Sequence, residues 1–356
     1  MSPVGDRVGM TDDARTDDTM RERAGASRWK LRLFVEVDRW LVVTGLLGVV
    51  FLSLVVVGTV LPGGAALVAG GDPIETAFQA FIGATITGVT LVVTLNQLVL
   101  SQELGAVGDQ RERMTGATKF RRDVADSVDA AVSPPEPAAF LRALVDSAGE
   151  RARTLADRID ADPEELPRDR IDALVDSVTG NADAVAARLD DAQFGTFTVL
   201  SAALDFNYSW KIYAARRVRA EHAEALSDDQ RAALDELIET LELFGPAREH
   251  FKTLYFQWEL VDLSRVVIGS AVPALLVSVG MVVYFDPAAV AGSALGVPTV
   301  VVIVAAAFAL ALLPFAVLLA YILRIATVAK RTLSIGPFTL RRTDRDRDLD
   351  WDRTGE

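Results

Sequence analysis

Four uncharged apolar runs, residues 40–61, 77–100, 266–285 and 299–321, constrain what this chain can become more than anything else in it. A helix of about 20 residues, rising about 1.5 Å per residue, crosses a hydrocarbon core of about 30 Å, and each run is long enough to do so. The runs come as two pairs around an acidic, helix-patterned block. The expected fold is therefore an all-α integral membrane protein, with four transmembrane helices as two hairpins flanking a cytoplasmic helical bundle. The organisation expected along the chain is a disordered tail over 1–28, an interfacial helix and first transmembrane hairpin over 29–101, and an acidic helical domain over 102–262. The second hairpin follows over 263–332 and a disordered tail over 333–356.

Orientation follows from the positive charges. The connections 62–76 and 286–298 contain no Lys or Arg, whereas every other flank is basic. Arg28, Lys30, Arg32 and Arg39 precede the first run; Arg111, Arg113, Lys119, Arg121 and Arg122 follow the second. Arg248 and Lys252 precede the third, and Arg324, Lys330 and Arg331 follow the fourth. The positive-inside bias then places both termini and the central block in the cytoplasm of a multi-pass cell-membrane protein. The first run is too long for the apolar part of a secretory signal and lies behind a long hydrophilic stretch, so it reads as a retained span. Around its start, Trp29, Leu33, Val37 and Trp40 share a helical face suited to the headgroup layer, although the alternation Trp29, Leu31, Leu33, Val35, Val37 fits a strand equally well.

The chain has no cysteine, which excludes disulfides, thiolate metal clusters and a thiol nucleophile. Net charge is −13, and Arg far outnumbers Lys. That bias resembles proteins of extreme halophiles, for which an acidic surface costs little because molar salt shortens the Debye length to about 3 Å. The basic residues are juxtamembrane or interleaved with acids, so no nucleic-acid partner is expected.

The central block reads as helices. One begins near Pro137 and carries Leu141, Leu144, Ala148, Ala152, Leu155 and Ile159; after Asp162, Pro163 and Pro167 a second, from about Asp169, carries Ile171, Leu174, Val178, Ala182, Val185 and Leu189. This pair is expected to form an antiparallel hairpin. A third helix is expected over about 196–226, placing Leu200, Leu204, Trp210, Tyr213 and Val218 among Arg216, Arg217 and Arg219. Ser227 with Gln230 forms a capping-box signature for a fourth, which ends near Gly245 and Pro246. From there Phe251, Leu254, Trp258 and Val261 continue without a breaker into the third run, as a stalk. Gly105, Gly108 and Gly116 predict a bend or break below the second run.

The second run carries the sharpest functional hint. Gln79, Gly83, Thr87, Thr90, Thr94, Gln97 and Ser101 recur at steps of three and four, forming one polar stripe from end to end of the helix. Amide and hydroxyl groups in hydrocarbon need partners, so the stripe either packs against neighbouring helices or lines a wet pathway. Ser270, Ala274 and Ser278 make a small-residue face on the third run, and Gly45 and Gly48 a lesser one on the first. Pro273 and Pro314 are expected to kink their helices.

No acid, base or histidine lies in the core of any run, which argues against ion-coupled pumping. The stretch 116–119 does not fit a phosphate loop, and His222 and His250 make no zinc motif. Glu164 with Glu165 reads as a solvated turn, and Trp351 as a surface residue or a partner's anchor. The expectation is no enzyme, no cofactor and no metal. The segments LNQLVLSQELGAVGDQRERM (95–114) and REHFKTLYFQWELVDLSR (248–265) resemble an uncharacterised haloarchaeal multi-pass membrane family, a resemblance that implies no activity. The order of spans is separately similar to bestrophin-type anion channels, in topology alone. Two functions stand: a homo-oligomeric structural or signalling module whose helical domain binds a cytoplasmic protein partner, or a passive ion channel lined by the stripe.

Overall fold

The computed structural model describes residues 38–61, 72–161, 168–190, 192–193, 195, 197–294 and 296–332, without the side chains of 102, 103, 161 and 330–332. The interfacial helix expected over 29–37, both tails, the Glu164–Glu165 turn and Trp351 lie outside these residues. The described chain is helical: α1 (Arg39–Val60), α2 (Asp72–Glu103), α3 (Val107–Ser127), α4 (Pro137–Ala161), α5 (Arg168–Leu189), α6 (Phe197–Asp205), α7 (Tyr208–Glu221), α8 (Asp228–Val283), α9 (Thr299–Ala311) and α10 (Leu313–Thr332). Between α8 and α9 a two-residue β-pair, which the sequence did not predict, joins Ser293–Ala294 to Val297–Pro298. Gly292 and Gly296 make it feasible, at φ +100° and +81°. The helices fall into two compact units, one built on Ala106–Tyr255 and the other on Trp29–Gly105 with Phe256–Val328.

In the first unit the apolar spacing becomes the core. All six expected positions on α4 and all six on α5 are at most 2% exposed. The two helices form the most extensive pair in the chain, and Gly149 lets them approach, since a Cβ there would sit 3.3 Å from that of Ala182. Glu136 starts α4 by accepting from Ala139 N at 2.7 Å. Ser227 and Gln230 start α8 reciprocally: Gln230 N donates to Ser227 Oγ at 3.3 Å and Ser227 N to Gln230 Oε1 at 3.0 Å.

Two expectations fail here, each for a packing reason. The helix expected over 196–226 is two, α6 and α7, because Phe206 is driven into the core and the Asn181 side chain replaces helical hydrogen bonds at the break. Asn181 Nδ2 donates to Asp205 O at 3.0 Å, and its Oδ1 accepts from Asn207 N at 3.3 Å. The break shifts the helical phase, which turns Tyr213 outward to 56% exposure. At Gly245–Pro246, α8 does not end. Pro246 faces outward, where the carbonyl it leaves unbonded can meet water, while Leu241, Phe244 and Ala247 hold both sides of it in the core. Gly245 is needed there, since a Cβ would lie 2.9 Å from the Tyr208 ring. Further along α8, Arg248 and Tyr255 are buried in the first unit and Glu259 and Leu263 in the second, while Trp258 and Val261 are exposed. The break expected below α2 falls at Leu104–Ala106, beside Gly105.

The second unit holds the apolar helices. Among the described residues three, α1, α2 and α8, are long and apolar enough to cross a membrane; a fourth exists if α9 and α10 count as one span, bent by 45°. The bend is the kink expected near Pro314, here sharp enough to divide the run over 299–321 into two helices. It falls at Leu312, where Pro314 removes a backbone donor and crowds the preceding turn. One core layer joins Val43, Val92, Leu263, Val267, Val317 and Tyr321. The other joins Ile74, Phe78, Met281, Val304 and Ala311, with the Phe308 ring edge-on to Phe78 and Phe81 at 4.9 and 5.3 Å. Ser270, Ala274 and Ser278 are buried in this unit, both hydroxyls bonded back to their own helix. Gly45 and Gly48 face open space.

The tightest approach is between α1 and α9, where a Cβ on Gly58 would meet Val301 Cγ1 at 2.7 Å. Gly58→Val is expected to destabilise the detergent-solubilised protein by about 2 kcal/mol, the cost of overpacking a filled site. Thermal unfolding should show a lowered midpoint, whereas Gly48→Val, in open space, should leave it unchanged.

Candidate functional site

The polar stripe of α2 lies on the side that the described residues leave uncovered. Ile74, Phe78, Thr85 and Val92 face inward, and Gln79, Gly83, Thr87, Thr90, Thr94, Gln97 and Ser101 are all exposed. The stripe thus does not pack against the described helices of its own chain. Its hydroxyls are satisfied locally: Thr87 donates to Gly83 O, Thr90 to Ile86 O and Thr94 to Thr90 O, each at 2.9 Å, and Ser101 to Leu98 O at 2.7 Å. Gln79 Nε2 donates to Glu75 Oε1 at 3.0 Å. What remains outward is a lane of methyl groups, acceptor lone pairs, carboxamides and the bare backbone of Gly83.

A second cluster was missed by the sequence reading. Glu259, only 5% exposed, accepts from Arg39 Nη2 at 3.0 Å, and the guanidinium lies 4.4 Å from the Tyr321 ring centroid. The three side chains tie α1, α8 and α10 together at one end of the apolar unit. Asp38 sets the first of these helices by accepting from Trp40 N at 2.7 Å. The signal was available: Arg39 abuts the first apolar run, and Glu259 lies on the helical face that becomes Leu263 and Val267. The second Glu259 oxygen, Oε2, is buried without a hydrogen bond among the described residues. Pro273 sits within α8 and does not interrupt it.

Buried charge also appears in the first unit. Lys211 is wholly buried; its Nζ donates to Asn181 Oδ1 at 2.9 Å and lies 5.3 Å from the Phe206 ring centroid. Arg248 is buried against Tyr208, 4.7 Å from its ring centroid, and donates to Glu249 Oε1 at 2.7 Å. On the surface, Glu221 takes hydrogen bonds from Arg217 at 2.6 Å and Arg170 at 2.9 Å. The Arg217 bond, foremost, holds the Glu221 carboxyl below its ordinary range. Its stabilising share is therefore present above the unfolded carboxylate pKa and is lost as acidification passes through the depressed folded value.

No group of three or more His, Asp or Glu suited to a metal ion occurs among the described residues. No curated protein and no solved structure matches the chain. Residues 6–353, nearly all of the sequence, match the pattern of one described family, and the chain accordingly belongs to that family of unknown function (DUF7972).

Proposed function

We propose that the protein is a membrane-anchored structural or signalling module of the cell membrane, spanning it four times with both termini and the first unit cytoplasmic. In this reading the helical unit binds a cytoplasmic protein partner, and the protein acts as a homo-oligomer. The observation that carries it is α8. This one helix of 56 residues supplies Leu234, Leu237, Leu241 and Phe244 to the core of the first unit and Leu263, Val267 and Met281 to those of the second. A partner bound to one unit therefore loads a helix that the other cannot pack without. The orientation rests on the basic flanks and on Trp40 and Trp258, exposed near Arg39 and Glu259 in sequence and suited to the headgroup layer. An acidic, Arg-rich surface also suits a halophile's cytoplasm.

A second reading, a passive ion channel with bestrophin-like topology, is favoured by the uncovered stripe of α2. Internal satisfaction of the stripe's hydroxyls ranks it below the module. Ion flux into liposomes separates the two. The module predicts none from folded protein, together with a specific partner crosslinked through residues 106–255 in native membranes. Flux that falls in the Thr90→Leu, Thr94→Leu variant would establish the channel instead.

A further inference from the structure

Residues 104–119 are the longest uncovered run in the described chain: every one is exposed, with Val107 at 82% and Met114 at 70%. The run takes in α3 from its start to Lys119. Water alone is a poor setting for such a helix, because one of this length is marginal without packing and Gly108 and Gly116 weaken it further. Its residues are also sorted. Val107, Arg111, Met114, Thr118 and Arg122 recur at steps of four, three, four and four along one side, while Asp109, Glu112 and Asp123 fall together on another. Only the C-terminal end of α3 meets the core of its own unit, through the buried Val124 and Ala125 and through Arg121, which donates to Ser133 O at 2.8 Å.

We propose that the Val107–Met114 side of α3 docks on an anionic lipid headgroup layer, with those two side chains entering its apolar margin and Arg111 and Arg122 on the phosphates. Charge selects that occupant. Residues 104–122 hold five basic and two acidic side chains in a chain of net charge −13, and the docking side carries two arginines and no acid. A second α3 presenting the same side would be repelled by it. Position selects the lipid too, since three residues separate α3 from the end of α2, which in the membrane reading leaves the bilayer there. Arginine suits both parts of the contact: its stem lies along apolar surface while its guanidinium reaches phosphate. Concentrated salt shortens the attraction to about 3 Å, a range that a docked guanidinium still satisfies. The proposal rests on the membrane reading of α2.

The chain lacks cysteine, so single-cysteine variants of the full-length protein can be labelled without background. In phosphatidylglycerol nanodiscs carrying a nitroxide near the headgroup, a bimane on Met114→Cys should be quenched several-fold more than one on Glu112→Cys. Nanodiscs of phosphatidylcholine should remove most of that difference. Arg111→Glu with Arg122→Glu, placed in the Met114→Cys background, should do the same in phosphatidylglycerol while thermal unfolding stays at the Met114→Cys value. Equal quenching at the two positions in phosphatidylglycerol would overturn the proposal, and so would equal quenching of Met114→Cys in the two lipids. A Met114→Cys label that escapes the nitroxide yet stays shielded from aqueous iodide would overturn it in favour of a protein partner. Recovery of the protein in a detergent-free aqueous fraction would instead defeat the membrane reading itself.

Discussion

Glu259→Ala is expected to cost the protein about 3 kcal/mol of stability, because it removes the carboxylate that Arg39 Nη2 bonds across α1, α8 and α10. The figure sits at the low end for a broken buried pair, since Arg39 retains the Tyr321 ring and 26% side-chain exposure. Glu259→Gln keeps an acceptor oxygen for Arg39 Nη2 and should lose clearly less. The diagnostic variant is the double substitution Arg39→Met with Glu259→Leu, which removes both charges and fills the same space. Apolar replacement of a buried pair is often neutral, so this variant should recover most of what Glu259→Ala loses. Thermal unfolding in one detergent measures all three. A Glu259→Ala protein indistinguishable from wild type would mean that the pair holds nothing together.

The apolar helices and the α4–α5 hairpin were legible in the sequence because their signals are local and repeated. Length without charge marks a helix fit to span, and steps of three and four mark a buried face, as Leu141 through Ile159 illustrate. The failures share a cause. Whether Pro246 ends a helix depends on what Leu241, Phe244 and Ala247 meet on the far side of the fold, and no local rule contains that. The break at Phe206–Asn207 depends on Asn181, well upstream in the chain, supplying the hydrogen bonds a helix would have kept. Which residues of α8 are buried was not legible either, since Trp258 and Val261 are exposed whereas Arg248 and Glu259 are buried. In each unit the charged groups are buried where partners meet them, Tyr208 and Glu249 for Arg248 and Arg39 for Glu259. The α2 stripe was readable as a pattern, but its exposure was not, since covering a face is a property of the neighbours.

Asn181→Leu tests the most non-local of these dependencies and is expected to lower stability by about 3 kcal/mol. One half-buried carboxamide serves three groups at the junction of α6 and α7: it donates to Asp205 O, and accepts from Asn207 N and from Lys211 Nζ. Leucine matches its size and serves none of them. The loss divides between the backbone groups that close the break and the ammonium of Lys211, which is wholly buried. Lys211→Met introduced alongside Asn181→Leu separates the two shares. It removes the charge that most needs the acceptor, so the double variant should be more stable than Asn181→Leu alone. Asn181→Asp keeps an acceptor for both Asn207 N and Lys211 Nζ and surrenders only the donation to Asp205 O; it should fall between wild type and Asn181→Leu. Denaturant unfolding followed by the fluorescence of Trp210, on α7 and 8% exposed, reads the junction directly. If Asn181→Leu unfolds with the wild-type midpoint, the side chain does not hold the break. The kink between α6 and α7 would then have to come from the burial of Phe206 against Phe244, whose rings lie 4.8 Å apart, and Phe206→Ala would become the variant that removes it.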